Sequence, residues 1–203
     1  MADGASTDEQ DAYTEELARV WVDGPPPKLT GPVLVAEYDP GWPARYEREA
    51  ARLRELLGDR ALLIEHVGST SVPGLPAKPI IDLDLVVADS AEEGSYLPTL
   101  VAAGYRLLIR EPEWYEHRCF KGPDTNINLH VFSPGSAEVE RHLLFRDWLR
   151  GHDADRDRYA AAKRELAGRR WTYIQQYADA KTGVVTEILA RARAAGQPAQ
   201  PAG

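Results

Sequence analysis

The sequence predicts an α+β domain, a mixed β-sheet flanked by helices and followed by a helical C-terminal third. Three observations carry this. Up to Gly104, short apolar runs of strand length alternate with segments of helical period. Two strand-like runs, 115–121 and 126–132, then flank Gly122-Pro123-Asp124-Thr125 in the manner of a β-hairpin. Beyond residue 136 the apolar spacing is helical alone.

The elements follow in order. Residues 1–30 read as a flexible acidic N-terminal extension, 31–194 as a single domain and 195–203 as a disordered tail. Within the extension, Leu17 to Val22 is expected as a short helix, closed by Gly24 and the run Pro25-Pro26-Pro27. Val33 to Tyr38 is extended, and Asp39-Pro40-Gly41 turns the chain. Tyr46, Ala50, Leu53 and Leu57 mark an amphipathic helix from Pro43, stopped at Gly58. Ala61 to Val67 is a strand, Gly68 to Pro79 a loop, and the run beginning at Ile80 a second strand. Ser90 followed by Glu93 has the spacing of a capping box for a helix ending at Gly104. Tyr105 to Arg110 is a third strand. Three helices close the chain at about 136–150, 154–167 and 172–194. Val139, Leu143 and Leu149 mark the first of them, and Tyr173, Tyr177, Ala180, Val184 and Ile188 the last.

Composition narrows the function. The chain has 203 residues, 43% hydrophobic and 28% charged, which suffices for a packed core. The net charge of −8 is unevenly placed. Residues 1–16 hold six acids and no Lys or Arg, so subtracting them leaves −2 for the remainder. That body lacks the basic footprint of a nucleic-acid binder, and a small-molecule partner is expected instead. No run approaches the ~18 apolar residues of a membrane span. Cys119 is the single cysteine, so no disulfide closes within the chain. Cytoplasmic residence, as a monomer or small homo-oligomer, is the expectation.

The chemistry concentrates between His66 and Val87. Asp82 and Asp84 alternate on a strand whose other residues are Ile80, Ile81, Leu83, Leu85, Val86 and Val87. Two apart on a strand, both carboxylates point the same way, with Cα atoms roughly 6.5–7 Å apart. Burying them unpaired costs several kcal/mol or shifts a pKa. A divalent cation between them removes that conflict, and oxygen ligands favour magnesium or manganese over zinc. The preceding loop adds a phosphate-type turn. Gly68 permits close backbone approach, and Ser69, Thr70 and Ser71 offer hydroxyl and N–H groups.

Val67-Gly68-Ser69, then Asp82-Leu83-Asp84-Leu85, resembles the signature of the nucleotidyltransferase (polymerase β-like) superfamily. The longer string EHVGSTSVPGLPAKPIID, with YDPGWP before it and NLHVF after it, resembles the GrpB family, whose domain also occurs fused to dephospho-CoA kinases. The resemblance covers about residues 33–193. It implies a nucleotidyltransferase-like sheet, a nucleoside triphosphate as substrate, and carboxylates that bind magnesium. The superfamily's third carboxylate falls on Leu129-His130-Val131, so His130 stands where an acid is usual. Asp82, Asp84 and His130 are therefore the candidate catalytic and metal-binding residues. His130 can ligate the metal, contact a phosphate, act as a base, or be structural.

Anion binding is expected from Lys78, directly before the aspartate strand, and from Lys163 and Lys181, which fall on family positions with Arg146, Tyr159 and Tyr177. Arg118 falls on the family's arginine position and would clamp a phosphate or carboxylate. A four-residue hairpin loop sets His117 opposite His130. A loop one residue longer or shorter brings Arg118 or Glu116 there instead. A zinc site from His117, Cys119 and His130 is the rival use of this hairpin. The expected function is metal-dependent nucleotidyl or phosphoryl transfer from a nucleoside triphosphate to a small molecule. The alternative is a non-catalytic nucleotide- or coenzyme-binding module on the same fold.

Overall fold

A computed structural model describes residues 7–196. Five strands form one mixed sheet in the order β1-β2-β5-β4-β3: β1 Leu63–Val67, β2 Ile81–Val86, β3 Arg106–Glu111, β4 His117–Lys121 and β5 Ile127–Phe132. The β2–β5 pair is parallel and the others antiparallel. The α+β expectation therefore holds, with its mixed sheet and helical C-terminal third.

Alternation along the central strands divides the sheet into two unlike faces. Leu83, Leu85, Phe120, Leu129 and Val131 lie on one face and are completely buried. They pack with Ala50, Leu53 and Leu57 of α2 (Trp42–Leu57) and Leu100 of α3 (Leu97–Ala102). Each leucine so buried is worth about 1.5–3 kcal/mol. The opposite face carries Asp82, Asp84, Asn128 and His130, where β2 and β5 run in register as Asp82↔Asn128 and Asp84↔His130. Over that face comes α4 (Ala137–Gly151), whose Val139 and Leu143 pack on Val86 and Phe132. The remaining helices, α5 (Asp153–Ala167), α6 (Ile174–Asp179) and α7 (Thr182–Gly196), complete the C-terminal third.

Five details differ from the sequence reading, each for a local reason. The acidic leader is helical as α1 (Thr7–Val20), a start ten residues before Leu17. Tyr13 donates to Asp179 (2.7 Å), and Thr14 and Tyr173 share a hydroxyl bond (3.1 Å), so contact with the C-terminal helices supplies what composition does not. Met1 to Ser6, and all but two residues of the expected tail, lie outside the described residues. The Ser90–Glu93 capping box is not formed. Ser90 bonds Ser133, Glu93 turns to Arg110 and Arg118, and the helix begins only at Leu97.

Strand β4 starts at His117 because Tyr115 and Glu116 have φ of 54° and 49°, a left-handed pair that cannot continue a strand. The hairpin closes with Lys121 opposite Asn128, which places Cys119, not His117, opposite His130. The helix expected at 172–194 is broken between α6 and α7. The α6 helix ends in a tight turn, Lys181 N–H bonding back to Ala178 (3.2 Å), and Gly183 sits at the start of α7.

Candidate functional site

The aspartates share a face but not an environment. Asp84 is 0% exposed, and both its oxygens lie on His142 Nδ1, at 2.9 and 3.2 Å. His142 Nε2 meets Glu138 Oε1 at 3.1 Å, and Glu138 is also bound by Arg141. Glu138 and His142 are four apart on α4, so one helical face presents the carboxylate and the imidazole together. Burial opposes charge on His142, but the two carboxylates outweigh it and push the imidazole up to about 9. Burial likewise works against ionised Glu138, yet Arg141 and His142 bring it down to about 2. Asp84 is held above the usual carboxylate range by burial, against the pull of His142.

Asp82 keeps an open side, with its side chain 27% exposed. Asn128 Nδ2 donates to Oδ1 at 2.8 Å, and Gly68 backs the other oxygen. Burial raises its pKa, while Asn128, Lys78, Lys181 and Lys121 lower it. His130 faces it, with Nε2 4.0 Å from Asp82 Oδ1. Behind His130 runs a chain of rings. His130 Nδ1 lies 2.9 Å from His117 Nε2, and His117 Nδ1 lies 2.6 Å from Glu111 Oε2. Glu111 and His117 are cross-strand partners, which explains their contact. Burial, then the neighbouring His117 and His142, hold His130 well below the ordinary histidine value.

A cationic wall borders Asp82. Lys78 and Lys181 both lie over the Tyr177 ring, at 5.8 and 4.9 Å from its centroid. Burial brings Lys78 down to about 8, with Lys181 adding to the fall and Asp82 opposing it. Lys163 stands deeper, 2% exposed, over Tyr159 at 4.6 Å, and its Nζ donates to the carbonyl of Pro76. Burial brings it down to about 7. It ties down the loop instead of facing a ligand.

The structure thus brings together Asp82, His130, Lys78, Lys181 and the Gly68-Ser69 turn. Other expected members are turned away. Thr70 is buried between His66 and the Ile80 carbonyl, and Ser71 donates to Gly68 O at 2.6 Å, so neither hydroxyl faces a ligand. Ser69 is half-buried, and its hydroxyl has no protein partner among the described residues. Arg118 lies opposite Val131 on the other face of the sheet, bound to Glu93 at 2.6 Å. Strand parity puts it there, away from the aspartates. Arg146 bridges Glu65 and the His66 carbonyl.

The expected magnesium or manganese shell of Asp82, Asp84 and His130 does not fit this arrangement. Asp84 is closed by His142, which takes one of the two carboxylates out of the shell. Among the described residues no three His, Cys, Asp or Glu side chains are grouped to hold a metal ion. The rival zinc set fails with it, since both ring nitrogens of His117 are already bonded, to His130 and to Glu111. The charge conflict of the aspartate strand is met by a protein cation, His142. Sequence reasoning missed that residue, and missed Glu138 and Glu111. The Glu138–His142 spacing was the signal that could have found the first two.

The sequence matches the family described as GrpB protein over residues 32–191. The chain belongs to the GrpB family. A UPF0157 protein of Halalkalibacterium halodurans is 58% identical over 180 residues, 89% of this chain and 92% of that protein. The crystal structure of GrpB from Enterococcus faecalis superposes with a TM-score of 0.70 at 33% identity, covering 78% of this chain and 96% of that one. A dephospho-CoA kinase of Mycolicibacterium paratuberculosis is 32% identical over 176 residues, 74% of this chain but 43% of that protein.

Proposed function

We propose that this GrpB protein binds the polyphosphate of a nucleoside triphosphate beside Asp82 and transfers its nucleotidyl or phosphoryl group to a small molecule. One observation carries the reading: Lys78 and Lys181 converge on a single Tyr177 ring next to one open carboxylate. Burial, with Lys181 adding to it, disfavours the charge on Lys78. A ligand with several negative charges relieves that cost. Across from them, the Ser69 hydroxyl and the backbone at Gly68 offer hydrogen bonds to the same phosphates. The lysines would then neutralise charge as it develops on the leaving phosphate. The resemblance to nucleotidyltransferases supplies the nucleotide. The relative named dephospho-CoA kinase agrees with a nucleotide-linked substrate.

A second reading, binding without turnover, is favoured by the closure of Asp84 on His142. A panel of ATP, GTP, CTP and UTP, with and without magnesium or manganese, tests both. Thermal shift reads binding, and release of pyrophosphate or nucleoside diphosphate reads turnover. The expected result is stabilisation by at least one triphosphate, lost in Lys181→Ala. If millimolar triphosphates leave Tm unmoved, both readings fall. Binding without product release under any acceptor leaves the second alone.

A further inference from the structure

We infer that Glu111, His117 and His130 form a proton relay ending beside Asp82, in which His130 Nε2 accepts the proton of the group that attacks phosphorus. In this scheme Glu111 and His117 are positioning residues. The inference rests on the transfer reading for its substrate, an O–H or N–H acceptor, but its wiring stands on hydrogen-bond geometry alone.

The direction of each bond follows from the outer end. The Glu111 carboxylate only accepts, so His117 Nδ1, at 2.6 Å, carries a proton. The next pair, His117 Nε2 and His130 Nδ1 at 2.9 Å, shares a single proton. With His117 neutral, that proton sits on His130 Nδ1. His130 Nε2 is then a bare lone pair, aimed toward Asp82 Oδ1 at 4.0 Å. Two acceptors face one another across that gap, which is where a donor enters.

The step balances within the relay. The X–H bond of the acceptor breaks, and its electron pair forms the X–P bond while the P–O bond to the leaving phosphate breaks with its pair on that oxygen. The proton forms an N–H bond at His130 Nε2. The Nδ1–H bond of His130 breaks in turn, and the proton joins His117 Nε2. The positive charge appears on His117, next to Glu111, and His130 ends neutral in its other tautomer. Nothing is oxidised or reduced.

The surroundings favour this path over a cation on His130. The groups facing His130 are Asp82 and Asp84 from β2, His117, Cys119 and Lys121 from β4, and Glu138 and His142 from α4. His142 is already charged by its two carboxylates, so a second cation beside it is disfavoured. Charge on His117 has Glu111 instead. His117 is also fixed in orientation, stacked on Phe132 (4.9 Å) and capped edgewise by Trp114 (5.2 Å). The left-handed turn at Tyr115 and Glu116 brings Trp114 back over the ring.

Long-range nitrogen-15 NMR of the five histidine rings tests the relay on the full chain without substrate. At neutral pH, His130 is expected as the Nδ1–H tautomer. Acidification should charge His117 and switch His130 to Nε2–H with one shared midpoint. His117→Phe removes the acceptor and should move the His130 proton to Nε2. If that variant fails to fold, Glu111→Gln, at a side chain 28% exposed, presents an amide that can donate as well as accept. The proton on His117 Nδ1 is then no longer compelled, and both His130 tautomers should appear at neutral pH. A His130 found as Nε2–H at neutral pH, or one that becomes imidazolium on its own midpoint, overturns the relay. Failure of the nucleotide panel with this pattern intact would remove the transfer reading and leave the wiring.

Discussion

Asp82 and Asp84 are neighbours on one strand, on one face, with the same chemistry, yet the fold treats them oppositely. Asp84 is sealed, with 0% exposure, between His142 and the sheet. Asp82 keeps 27% of its side chain open and is surrounded at longer range by lysines. The difference comes from what lies above each. The Glu138–His142 turn of α4 covers the first, while the side chains of Lys78 and Lys181, set over Tyr177, border the second. Spacing on a strand places two carboxylates side by side, but the covering helix decides which of them remains available for chemistry.

The largest test of this contrast is stability. Asp84→Ala leaves His142 with one carboxylate in place of two inside a buried cluster, and breaking such pairs costs about 3–5 kcal/mol. Asp82→Asn keeps size and the Asn128 contact region, so it is expected to change stability by less than about 1 kcal/mol. Urea denaturation of the two variants measures both. Equal losses would mean that the two aspartates are equivalent supports and that the contrast is false.

The pH profile of stability gives a smaller effect with a definite sign. His142 rises from 6.5 to about 9 on folding. A histidine whose folded pKa is raised stabilises the fold fully below its unfolded value, and that contribution is lost as pH climbs through the folded one. Stability should therefore fall between about pH 6.5 and 9, by at most about 3 kcal/mol. Burial of Asp84 raises that carboxyl and offsets part of the gain. Denaturation midpoints at pH 6 and pH 9.5 in the parent and in His142→Gln measure it. A parent as flat as the variant over that window would separate His142 from Asp84.

Much of this was legible beforehand. The apolar alternation of β2, the period of α2 and the turn at Gly68 are local properties, and each appears where local chemistry puts it. The aspartate strand was rightly read as a charge conflict. Its resolution was not, because His142 is 58 residues away in sequence and only tertiary packing brings it to Asp84. Arg118 shows the same limit from the other side. A shift of hairpin register by one residue changes the face, and nothing in Gly122-Pro123-Asp124-Thr125 fixes that register. Cross-strand neighbours likewise hid the Glu111–His117 contact, since β3 and β4 meet only once the sheet forms.

Gly68→Ala sharpens the comparison by striking one aspartate alone. Gly68 has φ 66° and ψ −174°, a region that side chains other than glycine's enter only under strain. A Cβ built there would stand 2.3 Å from Asp82 Oδ2 and 2.9 Å from its Cβ, so Asp82 itself must move. The strain alone is worth about 1–3 kcal/mol, and a shifted Asp82 loses its alignment with Asn128 and with His130. Asp84 and His142 lie one strand position further and touch neither atom. The variant should therefore lose about 2 kcal/mol of stability and most of its triphosphate response, while the His142 titration, followed by NMR, keeps its elevated midpoint. A His142 midpoint that falls with the Gly68 substitution would show the two aspartates to be one coupled cluster, and the separate assignments of Asp82 to ligand and Asp84 to fold would have to be given up.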